Sequence, residues 1–458
     1  MKTYSDLLEV IENDEKLQEF VRGIITEHKT SDMYKEAEIA YDYYRKRNVT
    51  ITQYQKLLYT LSGEAVPDNY SANFKFCNAF FPIFVKQEVS HLLGEGATFN
   101  KDDTKDKLGG DRFDNVLMKA GKSALWGGVS FGFLNLDRVD VFNILEFVPI
   151  FDEENGSLRA GVRFWQLDTN KPLRATLYLE DGYIEYRWKD GKSEILKPKQ
   201  SYIKIVHISK IDGTEIIDGK NYPSFPIVPL WANDEHQSEF TGLREKIDGY
   251  DLIQSGFAND LDDASQIYWT LQNAGGMDDV DLAKFIERMK TVKAAIVEDE
   301  GATAEAHTIE VPYNARTQAL DILRGSLYRD AMALDTDKIS AGNITATAIN
   351  ASYENLSLKC DDFESCVTDF IYGLLDLLGI EDSPTFKRSK IVNVAENTQV
   401  VLSAAQYLDD ETILKHLPFL NQDEVDEIMK RNLEEEASRY AYEEEEPEED
   451  EEEKIINE

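Results

Sequence analysis

Gly121-Lys-Ser123 has the ending of a phosphate-binding loop, in which backbone N–H groups and a lysine cradle a nucleotide's phosphates. That loop needs a glycine five positions before Gly121. Val116 stands there instead, inside a helical pattern rather than a strand and turn. His28, His91, His207, His236, His307 and His416 are scattered, with no HExxH pair and no cysteine at metal-binding spacing. Asp102, Asp103, Asp106 and Asp111 resemble a calcium loop, but its glycine and terminal glutamate are out of register. Asp260, Asp262 and Asp263 fall in a long helical pattern, where such offsets do not converge on one point. No constellation for catalysis stands out. The expectation is a structural or binding protein, without a metal or cofactor.

The elements that would position any site form a helical start, a β-rich middle and a second helical half. Residues 1–60 read as amphipathic helices, and 73–93 as a largely apolar helix with Pro82 as a kink or restart. A helix over 113–126 stops at Gly127-Gly128. Over 129–206 the apolar period becomes two; Arg174-Ala-Thr-Leu-Tyr-Leu-Glu180 and Tyr183-Ile-Glu-Tyr-Arg-Trp188 flank Asp181-Gly182, a hairpin signal. The prolines of Tyr222-Pro-Ser-Phe-Pro-Ile-Val-Pro229 resist helix formation. A long helix is predicted over 241–273, reaching roughly 45 Å at 1.5 Å per residue.

A small unit follows over 277–312, with a helix at 279–291 and strands at 294–298 and 307–311. Helix resumes over 313–335, and 337–347 is a loop of small and polar residues. Leu356, Cys360, Phe363, Val367, Phe370, Leu374 and Leu377 then alternate four and three apart, the seam of a helix packed along its length. Glu381-Asp-Ser-Pro384 stops it, 390–394 reads as a short strand, and helices at 408–416 and 421–440 precede the tail.

The chain has 458 residues, enough for more than one core. Its net charge is −38. The tail 443–458 carries eleven acids against Lys454, so −28 remains for the rest. Tight sequence-independent DNA binding needs clustered Lys and Arg to displace counterions, and there is no such cluster. Acidity instead suits solubility and a surface over which DNA slides. Cys77, Cys360 and Cys366 fit a reducing compartment. The start is polar rather than signal-like, and the most hydrophobic run, 74–89, is too polar to span a bilayer. The tail has too little apolar content to fold alone, and disorder is expected there.

Four segments, in their order, resemble the portal proteins of tailed double-stranded DNA bacteriophages, of the siphophage type. Asn73-Phe-Lys-Phe-Cys-Asn-Ala-Phe-Phe-Pro-Ile-Phe-Val-Lys-Gln-Glu-Val-Ser-His-Leu-Leu-Gly94 is similar to a family helix with an Asn start and a Leu-Leu-Gly exit. Ile227-Val-Pro229, Ser238-Glu-Phe240, Leu243 and Ile247-Asp-Gly-Tyr250 resemble the approach to the family's first stem helix, with Ser255 and Asn259 where the family commonly has Ser and Asn. The module 274–312 lies between two long helices, as the family's clip does. Gly342-Asn-Ile-Thr-Ala-Thr-Ala348 resembles Gly-Asn-x-Ser-Gly-x-Ala at the tunnel loop, with Thr345 for Ser and Ala346 for Gly.

The resemblance implies an α+β, mainly α fold: long stem helices, a β-containing wing and a small α/β clip, assembled as a dodecameric ring. It places the wing at 1–235, the stem at 241–273 and 313–335, and the clip at 274–312. The tunnel loop is 336–347, the long helix and return to the wing 348–404, the crown 405–442, and the acidic tail 443–458. It implies no enzymatic activity and a place at the capsid's portal vertex, with assembly in the host cytoplasm. Implied partners are double-stranded DNA, terminase, scaffolding protein, major capsid protein and a head-completion or adaptor protein, but no membrane.

Lys338 is the candidate DNA-facing residue of the tunnel loop, with Asn343 and Thr345 capping and shaping it. Lys284, Arg288, Lys290 and Lys293 give the clip helix a basic face, for an acidic motor surface or for pairing with Glu287, Glu298 or a neighbouring subunit. Two other classes stay open: a different ring-forming virion or adaptor protein, and an acidic intracellular hydrolase assembled from distant residues.

Overall fold

The computed structural model describes residues 2–59, 63–68, 72–101, 103–189, 192–208, 215–264, 268–272, 280–281, 284–285, 287, 303–307, 312–337, 350–389, 394–417, 420 and 422–443. They form a mixed helix-and-sheet fold in two compact units. One unit comprises Met1–Leu334 and Asn355–Ser389; the other comprises Asp335–Glu354 and Lys390–Glu458.

The first unit begins with helices Tyr4–Val10, Asp14–Thr30, Asp32–Tyr44 and Val49–Gln53. Asn13 and Ser31 start two of them by accepting the N–H of Lys16 at 3.0 Å and of Tyr34 at 3.3 Å, which satisfies donors a helix end leaves open. Leu17, Phe20, Val21 and Ile24 make one apolar stripe at helical spacing. That stripe packs on a five-stranded antiparallel sheet, in the order Lys192–Gln200, Gly182–Lys189, Leu173–Leu179, Leu158–Trp165, Phe147–Phe151. Alternation puts Val162, Phe164, Ala175, Leu177, Ile184, Tyr186 and Trp188 into this core. Leu179 pairs with Gly182 across the expected hairpin.

A second, three-stranded sheet has Val129–Asn135 between Ile227–Trp231 and Arg138–Asn143. The proline-rich link thus ends in a strand. Helix Glu354–Leu378 lies against this sheet, and every residue of the expected seam, Leu356 through Leu377, is buried. Two glycines set how close it comes. A Cβ on Gly132 would stand 2.5 Å from the Phe370 ring, and one on Gly373 would stand 2.6 Å from Val228. Any side chain at either position would push helix and sheet apart.

Three predicted elements differ. Residues 72–79 belong to neither helix nor strand, and the helix begins only at Phe80, running to Leu93. Pro82 therefore sits in the first turn, where its missing N–H costs nothing and no kink is needed. The helix predicted over 241–273 spans Arg244–Ala264, and Tyr268–Gln272 is a strand paired with Thr303–His307. The aromatic and β-branched side chains of Tyr268-Trp-Thr suit a pleated surface better than a helix. The second strand precedes the predicted 307–311, and 294–298 lies outside the described residues. Helix Tyr313–Asp330 follows. The second unit contains helices Val394–Ala404, Asp410–His416 and Gln422–Glu443, with Asp409 capping the N–H of Thr412 at 3.0 Å.

Candidate functional site

Lys338, Asn343 and Thr345 lie outside the described residues, as do Arg288, Lys290 and Lys293. Lys284 is exposed and sits 3.5 Å from the Asp281 carboxylate one turn earlier. The motifs weighed for chemistry have structural places. Gly121-Lys-Ser123 is inside helix Arg112–Gly127, where Gly121 faces Leu93 and Phe363. His28 bonds the Ile144 carbonyl at 2.8 Å through Nε2, and His91 bonds the Ser389 carbonyl at 2.6 Å through Nδ1. Among the described residues no three His, Cys, Asp or Glu side chains are grouped to hold a metal.

What converges instead is polar structure at the root of the two long helices 244–264 and 313–330. Segment 72–79 runs antiparallel along the first of them. Phe74 N–H donates to Asn259 Oδ1 at 2.7 Å, Phe76 N–H to Ser255 Oγ at 3.0 Å, and Asn78 N–H to Asp251 Oδ1 at 3.1 Å. The match follows from geometry. Four helical residues rise about 6.0 Å and two extended residues about 6.6 Å, so side chains four apart meet backbone N–H groups two apart. Asp251, Ser255 and Asn259 are all buried, and the zipper satisfies both them and the backbone of the segment. Asp251 also accepts from Asn48 Nδ2 and from Asn78 Nδ2. Burial raises the Asp251 carboxyl above its usual range, and these amide donors pull against that rise.

The second feature is a buried ion cluster. Lys359 Nζ, on helix Glu354–Leu378, lies 2.8 Å from Glu88 Oε2 and 2.7 Å from Glu239 Oε2. It also donates to the Ala331 carbonyl at 3.3 Å. Glu88 belongs to helix Phe80–Leu93, Glu239 leads into helix 244–264, and Ala331 caps helix Tyr313–Asp330. Next to Glu88, the Gln87 amide clamps both sides of Leu334, donating to its carbonyl at 2.9 Å and accepting its N–H at 3.2 Å. One lysine therefore ties together two helices, the lead-in to a third and the end of a fourth.

Two carboxylates share one ammonium, which leaves one negative charge in a buried place. Burial is the main cause pushing the Glu88 carboxyl up to about 7; Lys359 opposes the rise and Glu239 adds to it. Burial alone would depress the Lys359 ammonium, but the two carboxylates overcome this and raise it. The shifts are compatible, because Lys359 stays charged while Glu88 is the carboxyl that takes up the proton. Burial also pushes the neighbouring Cys360 thiol up to about 12, so it is inert as a nucleophile. This arrangement fixes backbone segments and takes up a proton near neutrality. It offers no nucleophile or open metal position, and its partners are distant in sequence. Among the hydrogen-bonding side chains of the zipper, Ser255 and Asn259 are the two that the family resemblance points to individually.

A sequence family described as "Phage portal protein, SPP1 Gp6-like" matches residues 24–449. The portal protein of Clostridium phage phiCD119 (strain Clostridium difficile/United States/Govind/2006) is 30% identical over 313 residues, covering 65% of this chain and 66% of that protein. The portal protein of Bacillus phage SPP1 is 23% identical over 477 residues, covering 96% of this chain and 92% of that protein. Among solved structures, a chain from "Virion of native gene transfer agent (GTA) particle" aligns with TM-score 0.44 and 12% identity, over 75% of this chain and 91% of that one. A chain from "Neck of native GTA particle computed with C12 symmetry" aligns with TM-score 0.40 and 10% identity over the same shares. With the family match running through nearly the whole sequence, this chain belongs to the SPP1 Gp6-like family of phage portal proteins.

Proposed function

We propose that this chain is the subunit of a ring, dodecameric as the family resemblance implies, at one vertex of a phage capsid. The ring is the channel through which double-stranded DNA enters during packaging and leaves on ejection. It docks terminase, then the head-completion or adaptor protein, and contacts scaffolding and major capsid protein during assembly in the host cytoplasm. The observation that carries this reading is the family match over residues 24–449. The chain itself hydrolyses nothing; the packaging ATPase belongs to another protein.

In this reading 1–235 is the wing, 241–273 and 313–335 the stem, 274–312 the clip, 336–347 the tunnel loop and 405–442 the crown. The polar root then has a mechanical role. The tunnel loop begins just beyond Leu334, which Gln87 holds, and both stem helices meet the wing at Lys359. Such anchors let a ring carry load at the loop while the wing stays fixed. Lys338 steadies DNA within an acidic lining, Asn343 and Thr345 shape the loop, and the clip cations Lys284, Arg288, Lys290 and Lys293 face the motor.

Shortening the loop within 337–347 tests the assignment. Rings are expected to form and be incorporated, while packaged DNA falls sharply. Wild-type packaging by the shortened protein would contradict it.

A further inference from the structure

Helix Tyr313–Asp330 ends in a turn that its own residues do not favour. Met332 N–H donates to the Arg329 carbonyl at 3.1 Å, and Ala333 N–H to the Tyr328 carbonyl at 2.9 Å. In this pattern the reversing residue lies in the left-handed region and is usually glycine. Here it is Met332, with φ of 51°. A side chain is disfavoured in that conformation, so the turn persists only where its surroundings hold it.

Two side chains from elsewhere do so. Lys359 Nζ donates to the Ala331 carbonyl at 3.3 Å, just before Met332, and the Gln87 amide clamps Leu334 just after it. Lys359 is not free to serve the turn alone. Glu239 Oε2 at 2.7 Å and Glu88 Oε2 at 2.8 Å both lie nearer its ammonium than the carbonyl does. The two carboxylates differ in access to water. Glu88 is 1% exposed, whereas Glu239 is 20% exposed and lines, with Ala331, Glu235 and Asp330, a surface cavity of about 220 Å³.

The other ionisable groups around this point have partners of their own. The Cys360 thiol donates to the Glu88 backbone carbonyl at 3.7 Å, and Arg388 is engaged by Asp361 and Glu364. On the helix of Glu88, His91 is held by the Ser389 carbonyl at 2.6 Å and Ser357 Oγ at 3.3 Å. Asp330 pairs with Lys246. The charge on Glu88 therefore bears chiefly on Lys359.

We infer that Glu88 is a proton-operated latch on this turn, tightening the exit of helix Tyr313–Asp330 when it takes up a proton and loosening it on release. Two effects act in the same direction. A neutral Glu88 lets the ammonium move toward the Ala331 carbonyl. It also removes the surplus negative charge that otherwise drives Glu239 toward the water of the cavity. Burial, opposed by Lys359 and assisted by Glu239, pushes the Glu88 carboxyl up to about 7, so the change falls near neutrality. All the partners belong to one chain, so the latch does not depend on ring formation.

Hydrogen–deuterium exchange of the purified full-length chain, corrected for the intrinsic effect of pH, tests the latch. The bonded N–H groups of Ala331, Met332, Ala333 and Leu334 report on the turn. At both pH 6 and pH 8 they should exchange faster than strand Leu173–Leu179, which marks local opening. Their protection is expected to fall about tenfold from pH 6 to pH 8, because opening frees Glu88 to ionise as it does in water. Glu88→Gln should keep at pH 8 the protection it has at pH 6. Equal protection of the wild-type turn at the two pH values would overturn the latch. So would a turn that exchanges only at the strand's rate, or a Glu88→Gln variant that retains the wild-type pH dependence.

Discussion

The core of the five-stranded sheet and the polar root of helices 244–264 and 313–330 are built by opposite means. In the core, Phe20, Ile24, Val162, Leu177 and Tyr186 bury apolar surface, and at roughly 1.5–3 kcal/mol per large side chain this burial dominates. At the root, the buried residues include Asp251, Ser255, Asn259 and Glu88, and directional bonds decide the geometry. Apolar packing tolerates small shifts, whereas hydrogen bonds and ion pairs fix register. The cost of the second kind of joint is a dependence on pH and on single side chains that the sheet core does not share.

Lys359→Met should break this comparison hardest. It leaves buried Glu88 and half-buried Glu239 without their cation, and a loss of about 3–5 kcal/mol is expected in urea unfolding of the subunit. A loss below about 1 kcal/mol would mean that water already serves these carboxylates. Phe147→Ala is the matching change in the five-stranded sheet. Its ring fills the space that Gly161 leaves and lies 4.5 Å from Phe131, so about 3–5 kcal/mol should be lost. That loss should be the same at pH 5 and pH 8, and a strong pH dependence would blur the distinction drawn here.

Glu88→Gln sharpens the comparison. The Glu88 pKa is raised from 4.5 to about 7 on folding, so the folded chain holds this proton more tightly than the unfolded one. Its contribution is full below about pH 4.5 and is lost as pH rises through about 7. The variant should therefore match wild type near pH 5 and be more stable at pH 8, by up to about 3 kcal/mol. Greater stability of wild type at pH 8 would show that Glu88 is needed as an anion. Asn259→Ala is the mildest test. Losing the acceptor for Phe74 N–H should cost about 1 kcal/mol and speed amide exchange at Phe74 while leaving the five-stranded sheet unchanged. Unaltered exchange there would remove Asn259 from the zipper.

Much of the first unit was legible in the sequence. Period-two alternation with Asp181-Gly182 located the hairpin, and the four-and-three spacing from Leu356 to Leu377 identified the buried face of a helix. The sequence predicts helix over 73–79 because these residues continue the largely apolar run that ends at Leu93. The N–H groups of this segment are taken by side chains of a helix far along the chain, and that long-range fact leaves no local pattern. The Lys359 cluster is hidden for the same reason, since Glu88, Glu239 and Lys359 are each ordinary charges until the fold joins them. Ser255 and Asn259 were noticed only through family resemblance; the zipper supplies a physical reason for those residue types.

The most direct test of the central claim is mass photometry of the purified wild-type chain, with negative-stain images of the same sample. The account predicts a species of about twelve subunits with a central hole. A stable dimer or tetramer, with no ring views at any salt or protein concentration, would contradict it.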